Sequence, residues 1–191
     1  AAGALPPATG YGYALAYGDP ALKPSWQHVL DAGLARSRRR MHRAGLVDPA
    51  TVDRVQTVFD REAARFAAIA PRAFLHDTTT KNVIVQSGRL SGIVDVDTLC
   101  FGDGLFALAL TRMALLAMNA DPAYVDAWAA ELALDRAAEE RLRLYTALFC
   151  VDLLAELGQR FNRPAPAPVD PAYRRRLLDL LEALLPATPI A

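Results

Sequence analysis

Four side chains that could do chemistry fall in one stretch, Phe74 to Asp97, FLHDTTTKNVIVQSGRLSGIVDVD. Asp77 and Asn82 lie five positions apart in a polar loop. Two short apolar runs and a Ser87-Gly88 turn follow, and the second run ends in Asp95 and Asp97. The turn folds the chain back, so a hairpin can bring Asn82 and Asp95 close together. A carboxylate and an amide oxygen from two strands suit a hard cation such as Mg²⁺, which takes its other ligands from water and substrate phosphates. Asp77 is then a further carboxylate, able to accept a proton from an attacking hydroxyl. The two-residue period of an extended segment puts Asp95 and Asp97 on one side, with Val94 and Val96 on the other. Asp97 can thus add a ligand or support the metal site. One such residue in a loop would be ordinary turn chemistry, but four around one hairpin point to a site. Lys81 sits inside the same loop, where it faces solvent or touches a phosphate oxygen, and Thr78, Thr79 and Thr80 read as loop hydroxyls.

The elements that hold this stretch are mostly helical. Pro24-Ser25 opens a helix in which Trp26, Leu30, Leu34 and Met41 recur at near-helical spacing, and Gly45 stops it. Arg36, Arg38, Arg39, Arg40 and Arg43 read as its solvated face. Asp48-Pro49 starts a second helix with a buried stripe of Val52, Val55, Phe59, Phe66 and Ile69, ended by Pro71. Residues 73–75 are a strand candidate. The hairpin follows at 83–86 and 90–95, and 97–103 reads as a loop. Further helices are expected near 104–119, 121–132, 135–160 and 170–185, with Asp121-Pro122 and Asp170-Pro171 as cap-and-proline starts. Residues 1–23, rich in Gly, Pro and Tyr, read as a loop or linker. The expected architecture is α+β and mainly helical, a helical bundle packed on one β-hairpin.

The totals agree. A chain of 191 residues, 53% hydrophobic and 22% charged, can bury a sizeable core. Its 21 basic residues balance 21 acidic ones, so overall charge favours neither nucleic acid nor an acidic membrane as partner. No apolar run reaches membrane-spanning length. Cys100 and Cys150 have no metal-type spacing and make no disulfide framework, which fits a reducing cytoplasm.

The spacing D-x-x-x-x-N, a hairpin, then a metal-binding Asp is that of kinase-like phosphotransferases. The wording HDTTTKNVIV and then SGIVDVDTLCFGDG resembles the aminoglycoside phosphotransferase family. The resemblance implies Asp77 as catalytic base, and Asn82 and Asp95 as Mg²⁺ ligands with Asp97 in support. It implies ATP or GTP as phosphoryl donor, with Asn82, Asp95 and Lys81 facing the nucleotide. The acceptor would be a small-molecule hydroxyl; aminoglycosides, other antibiotics, amino alcohols and sugars all stay open. Asp103, in the Phe101-Gly102-Asp103 element, is expected to cap the following helix.

There are departures. The family's histidine usually stands two residues before the Asp, a position held here by Leu75, with His76 adjacent instead. Ala107 stands where the family often has Asp. Nothing in residues 1–23 supplies a glycine-rich phosphate loop or a strand lysine, and Lys23 lies beside a proline. The resemblance therefore implies a kinase-like C-terminal catalytic lobe over residues 24–191, with 1–23 as interlobe linker and no N-terminal lobe in this sequence. Two other readings stand beside it. His76-Asp77 alone is also the dipeptide of HD phosphohydrolases, but only His28 and His42 remain and neither sits in a matching motif. A kinase-like lobe that binds without catalysis is the alternative.

Overall fold

The computed structural model describes residues 8–14, 21–96, 99–161 and 164–185. Helix α1 spans Trp26–Ala44, as the periodicity demands. The Ser25 hydroxyl accepts the His28 amide at its start. Gly45 ends it at φ 64°, a left-handed conformation that costs glycine little. The single helix expected after Asp48 is two: α2 (Ala50–Arg61) and α3 (Ala63–Ala67). Glu62 breaks them, yet Phe59 and Phe66 still stack at 5.2 Å, so the buried stripe continues across the break. Helices α4 (Leu105–Ala117), α5 (Ala123–Glu131), α6 (Arg136–Glu156) and α7 (Pro171–Leu184) match the expected series, trimmed at their ends. Asp135 and Asp170 accept backbone amides as the caps of α6 and α7.

Two expected loops are strands. Gly12–Ala14 forms β1 within residues 1–23, and Lys23 bridges back to Tyr11. Leu99–Gly102, read as loop, forms β5. With β2 (Arg72–Leu75) they make an antiparallel sheet in the order β1-β5-β2. In it Cys100 stands opposite Tyr13 on one side and Phe74 on the other. The helices pack on this sheet, not on the hairpin. Phe74 and Cys100 join the main core, and Trp26 meets Phe106 at 5.1 Å and Tyr145 at 6.3 Å, both edge-on.

The expected hairpin exists as β3 (Val83–Gln86) and β4 (Arg89–Ile93), with Ser87-Gly88 at its turn. It packs mainly on itself. Val85 is 61% and Leu90 66% exposed, and Ile84, Val94 and Val96 are exposed as well. The expectation of a bundle seated on the hairpin is thus corrected. The sheet seals the core, and the hairpin projects from it.

The arginine face of α1 is not simply solvated either. Arg36 Nη2 bonds both oxygens of Asp152 on α6, at 3.1 and 3.0 Å. Arg40 lies 3.6 Å from Asp152, and Arg38 pairs with Asp53. Cys100 and Cys150 are buried free thiols, each pushed up to about 12 by burial. No helix among the described residues is long and apolar enough to cross a membrane.

Candidate active site

Strand β2 delivers the chain to the site. After Leu75 it leaves the sheet, passes His76 and reaches Asp77 in an irregular loop. One turn of 3₁₀ helix, Thr80–Asn82, returns it to β3. Asn82 is buried, and its Nδ2 donates to the Asp77 carbonyl at 2.9 Å. That bond fixes the loop and turns the amide oxygen away from the Asp77 carbonyl. The Asn82 carbonyl in turn accepts the Val94 amide at 2.9 Å. The hairpin therefore closes at Asn82, and Asp95 lies two residues past the end of β4, so the strand expected over 90–95 stops before it. Asp95 is exposed at φ 58°, left-handed backbone that Asp tolerates better than most side chains do. Asp97 lies outside the described residues.

Asp77 is half-buried and engaged on both oxygens. Thr79 Oγ1 donates to Oδ1 at 2.7 Å, and Lys81 Nζ lies 3.0 Å from Oδ2. Burial alone would raise this carboxyl. The Thr79 hydroxyl and the Lys81 ammonium outweigh burial and hold it below the usual carboxylate range. Asp77 is therefore ionised near neutrality. These two partners were not legible from the motif, although the i, i+4 spacing of Asp77 and Lys81 was.

His76 braces the loop from beneath. Its ring centre lies 4.9 Å from that of Tyr13, 5.4 Å from Phe106 and 5.8 Å from Phe149. Its Nε2 is 3.2 Å from the Tyr13 hydroxyl. Burial pushes its pKa down to about 4, and the Asp77 charge offsets only part of that shift. Leu75, in the position where the family has its histidine, is instead the last residue of β2, opposite Leu99. The imidazole thus enters one residue later and is neutral.

Asp103 anchors the other side. Its Oδ1 accepts the Leu105 amide at 3.1 Å, which is the expected capping role. Its Oδ2 also accepts Arg141 Nε at 3.2 Å and the Tyr145 hydroxyl at 3.1 Å. That hydroxyl accepts Trp26 Nε1 at 2.8 Å. Burial, and next the Asp103 charge, raise the Tyr145 pKa well above that of an ordinary tyrosine. Gly102 has φ 152°, and a Cβ there would meet Trp26 ring carbons at 2.2 Å. The Phe-Gly-Asp element is therefore set by contact with Trp26.

The Asn82–Asp95 pair fits Mg²⁺ on its donor chemistry. Both offer hard oxygens, and the Val94–Asn82 bond brings the backbone that leads to Asp95 against Asn82. A cavity of about 930 Å³ lies between α4, α5, α6 and α7, but Asp77, Asn82 and Asp95 are not among its lining residues. The acidic residues of the later helices are largely engaged. Asp135 caps α6, Glu140 pairs with Arg65 and Arg136, and Asp152 pairs with Arg36.

A chain with this loop, hairpin and anchored helix has known counterparts. The model of the phosphotransferase enzyme family, APH, matches residues 15–145. The chain belongs to that family. Among solved structures it is similar to a thermostable mutant of aminoglycoside phosphotransferase APH(4)-Ia in its apo form. That match has 18% identity and a TM-score of 0.61 over 91% of this chain and 57% of the other. The N202A form of that mutant, in ternary complex with AMP-PNP and hygromycin B, matches at 18% identity and TM-score 0.57, over 92% of this chain and 56% of the other. A protein named as a fructosamine-3-kinase from Thermobifida fusca YX-ER1 matches at 20% identity and TM-score 0.57, over 93% and 59%. At such identities the likeness speaks for the fold. The chain spans 56 to 59% of the length of these structures. No curated protein matches it at a significant level.

Proposed function

We propose that this chain carries the catalytic lobe of a small-molecule phosphotransferase that moves the γ-phosphoryl group of ATP or GTP to a hydroxyl. The observation that carries the reading is the double tie at Asn82. Its side chain holds the Asp77 carbonyl, and its carbonyl holds the strand that leads to Asp95. Two hydrogen bonds at one residue thus tie the Asp77 backbone to the strand that leads to Asp95, which supports reading Asp77 as the base and Asn82 with Asp95 as the metal ligands.

In this reading Asp77 orients the acceptor hydroxyl and takes its proton as the oxygen attacks phosphorus. A carboxylate of low pKa suffices, because a loose phosphoryl-transfer transition state asks mainly for positioning and little early deprotonation. Asn82 and Asp95, with Asp97 in support, would hold Mg²⁺, which supplies charge neutralisation at the phosphates when bound. Lys81 is exposed on a flexible stem, so it can leave Asp77 for a phosphate oxygen. Thr79 keeps the carboxylate aimed meanwhile.

We infer further that residues 24–191 are a C-terminal lobe, and that the groups clamping the nucleotide from the other side belong to a partnering N-terminal lobe. The exposed apolar residues of the hairpin, with Val85 paired to Leu90, support this, since an adenine ring or a second lobe would cover them.

The test is phosphoryl transfer to a panel of hydroxylated small molecules, followed as ADP or GDP release, by the protein with that lobe present. Asp77→Ala should abolish release while nucleotide binding persists. Robust turnover by the variant would overturn the role of Asp77. A wild-type protein that binds ligands but never releases ADP or GDP would favour the non-catalytic reading. The 191-residue chain alone should bind ATP weakly or not at all, and tight binding by calorimetry would refute the lobe assignment.

A further inference from the structure

A smaller cavity, of about 170 Å³, opens between β1, α1, the start of α4 and α6. Tyr13, Phe106 and Phe149 line it, and these are three of the four rings that pack on His76 among the described residues. His76 and Asp77 do not line the cavity but lie behind those rings, so only a ligand that extends past them reaches Asp77. Two details mark it as more than a packing fault. Gly33 lies in the middle of α1, where glycine costs about 1 kcal/mol relative to alanine. A Cβ there would meet nothing within 4 Å, so neighbouring atoms do not demand the glycine. Gly33 lines this cavity, and its missing side chain keeps the space open. The second detail is Arg36. Its Nη2 holds Asp152, but its Nε is buried with no hydrogen-bond partner. An unmet buried donor is costly, and a ligand oxygen would satisfy it.

We propose that this cavity binds the ring-bearing end of the acceptor, an uncharged hydroxylated ring compound that presents a carbonyl, ether or hydroxyl oxygen to Arg36. The proposal rests on the phosphotransferase reading and adds the class of substrate. The volume suits one ring, being below the ~300–1,000 Å³ of sites that enclose a whole drug-sized ligand. The aromatic walls favour a flat or apolar face. Charge sets the rest. Lys23 and Arg36 border the cavity, with Asp152 behind Arg36 as the single acid paired there. The net positive edge opposes a polycation such as an amino sugar, and Asp126 and Glu139, which carry no ion pair among the described residues, line the other cavity rather than this one.

The probe is 4-(hydroxymethyl)benzamide, a ring with a hydroxyl and a carbonyl, added to the 191-residue chain without nucleotide. Saturation-transfer NMR should show it bound, with the ring protons nearest the protein. Gly33→Leu fills the cavity and favours the helix, so the variant should keep its thermal transition and bind the probe at least tenfold more weakly. Arg36→Lys preserves a cation for Asp152 and removes Nε, and should weaken binding severalfold. An excess of hygromycin B should leave the probe in place. Failure of the wild-type chain to bind the probe, undiminished binding by a folded Gly33→Leu variant, or displacement by hygromycin B would each overturn the proposal. Binding is read here without phosphoryl transfer, so failure of the Asp77 test and failure of this one are separate results.

Discussion

Asp103 gives both its oxygens to the interior. A helix amide, Arg141 and the Tyr145 hydroxyl converge on it, and its side chain is 12% exposed. Asp77 is also bonded on both oxygens, but by a loop hydroxyl and by a lysine that is 67% exposed, and it keeps 28% of its own surface open. Both are ion-paired aspartates in one chain. The first joins β5, α4, α6 and, through Tyr145, α1. The second joins only its own loop, and each of its partners can be exchanged for a ligand at small cost. Saturated burial marks a carboxylate that builds the fold, and replaceable partners mark one left available for chemistry.

That contrast sets what each substitution should do. Asp77→Ala should lower phosphoryl transfer by about 10³-fold or more, on the order of 4 kcal/mol in the barrier. It should shift the folding free energy by less than about 1 kcal/mol. Asp103→Ala should do the reverse, costing about 3–5 kcal/mol of stability because Arg141 and Tyr145 lose a buried partner. Urea denaturation of the two variants beside a turnover assay reads both sides. Equal destabilisation by the two would remove the distinction.

His76 tests the ground between them. Its folded pKa, about 4, lies below the ordinary 6.5. Between these values the unfolded chain binds the extra proton and the folded chain does not, so stability rises with pH across that window and falls as pH drops through it. The loss approaches about 3 kcal/mol near pH 4. Denaturation at pH 7 and pH 4.5 should show it, and His76→Gln should flatten it. An unchanged pH slope in that variant would assign the effect elsewhere.

The smallest effect belongs to Lys81→Met. With the ammonium gone, the Asp77 carboxyl should titrate nearer the ordinary range, seen by carbon-detected NMR of its side chain. The depressed pKa contributes stability above the unfolded value and loses it as pH falls through the folded one, so any effect lies at the acid end. Being exposed, the pair should be worth less than about 1 kcal/mol.

Local features of the fold were readable in advance. Gly45 stops α1, Asp170 caps α7, and the Asp77-to-Asn82 spacing marks the loop, because each acts over one turn of chain. What escaped depends on distant partners. Gly12–Ala14 becomes a strand because Leu99–Phe101 pairs with it, and neither segment is long enough to reveal itself. Arg36 looks solvated until α6 brings Asp152 across. The cavity at Gly33 exists only once β1, α1, α4 and α6 have met. Pairing in space decides such features, and periodicity does not carry that information.

The projecting hairpin also sets a hierarchy of motion. A two-stranded ribbon without a third strand or a packed face is marginal in water. Its amides should therefore exchange with solvent through local opening, well before those of α1, α6 or the β1-β5-β2 sheet, which open only with the whole domain. Asn82 and Asp95 stand at the root of that ribbon. Whatever binds both of them clamps the two strands together, so the protection of the Val83–Ile93 amides becomes a gauge of occupancy at the site, readable without any measurement of turnover.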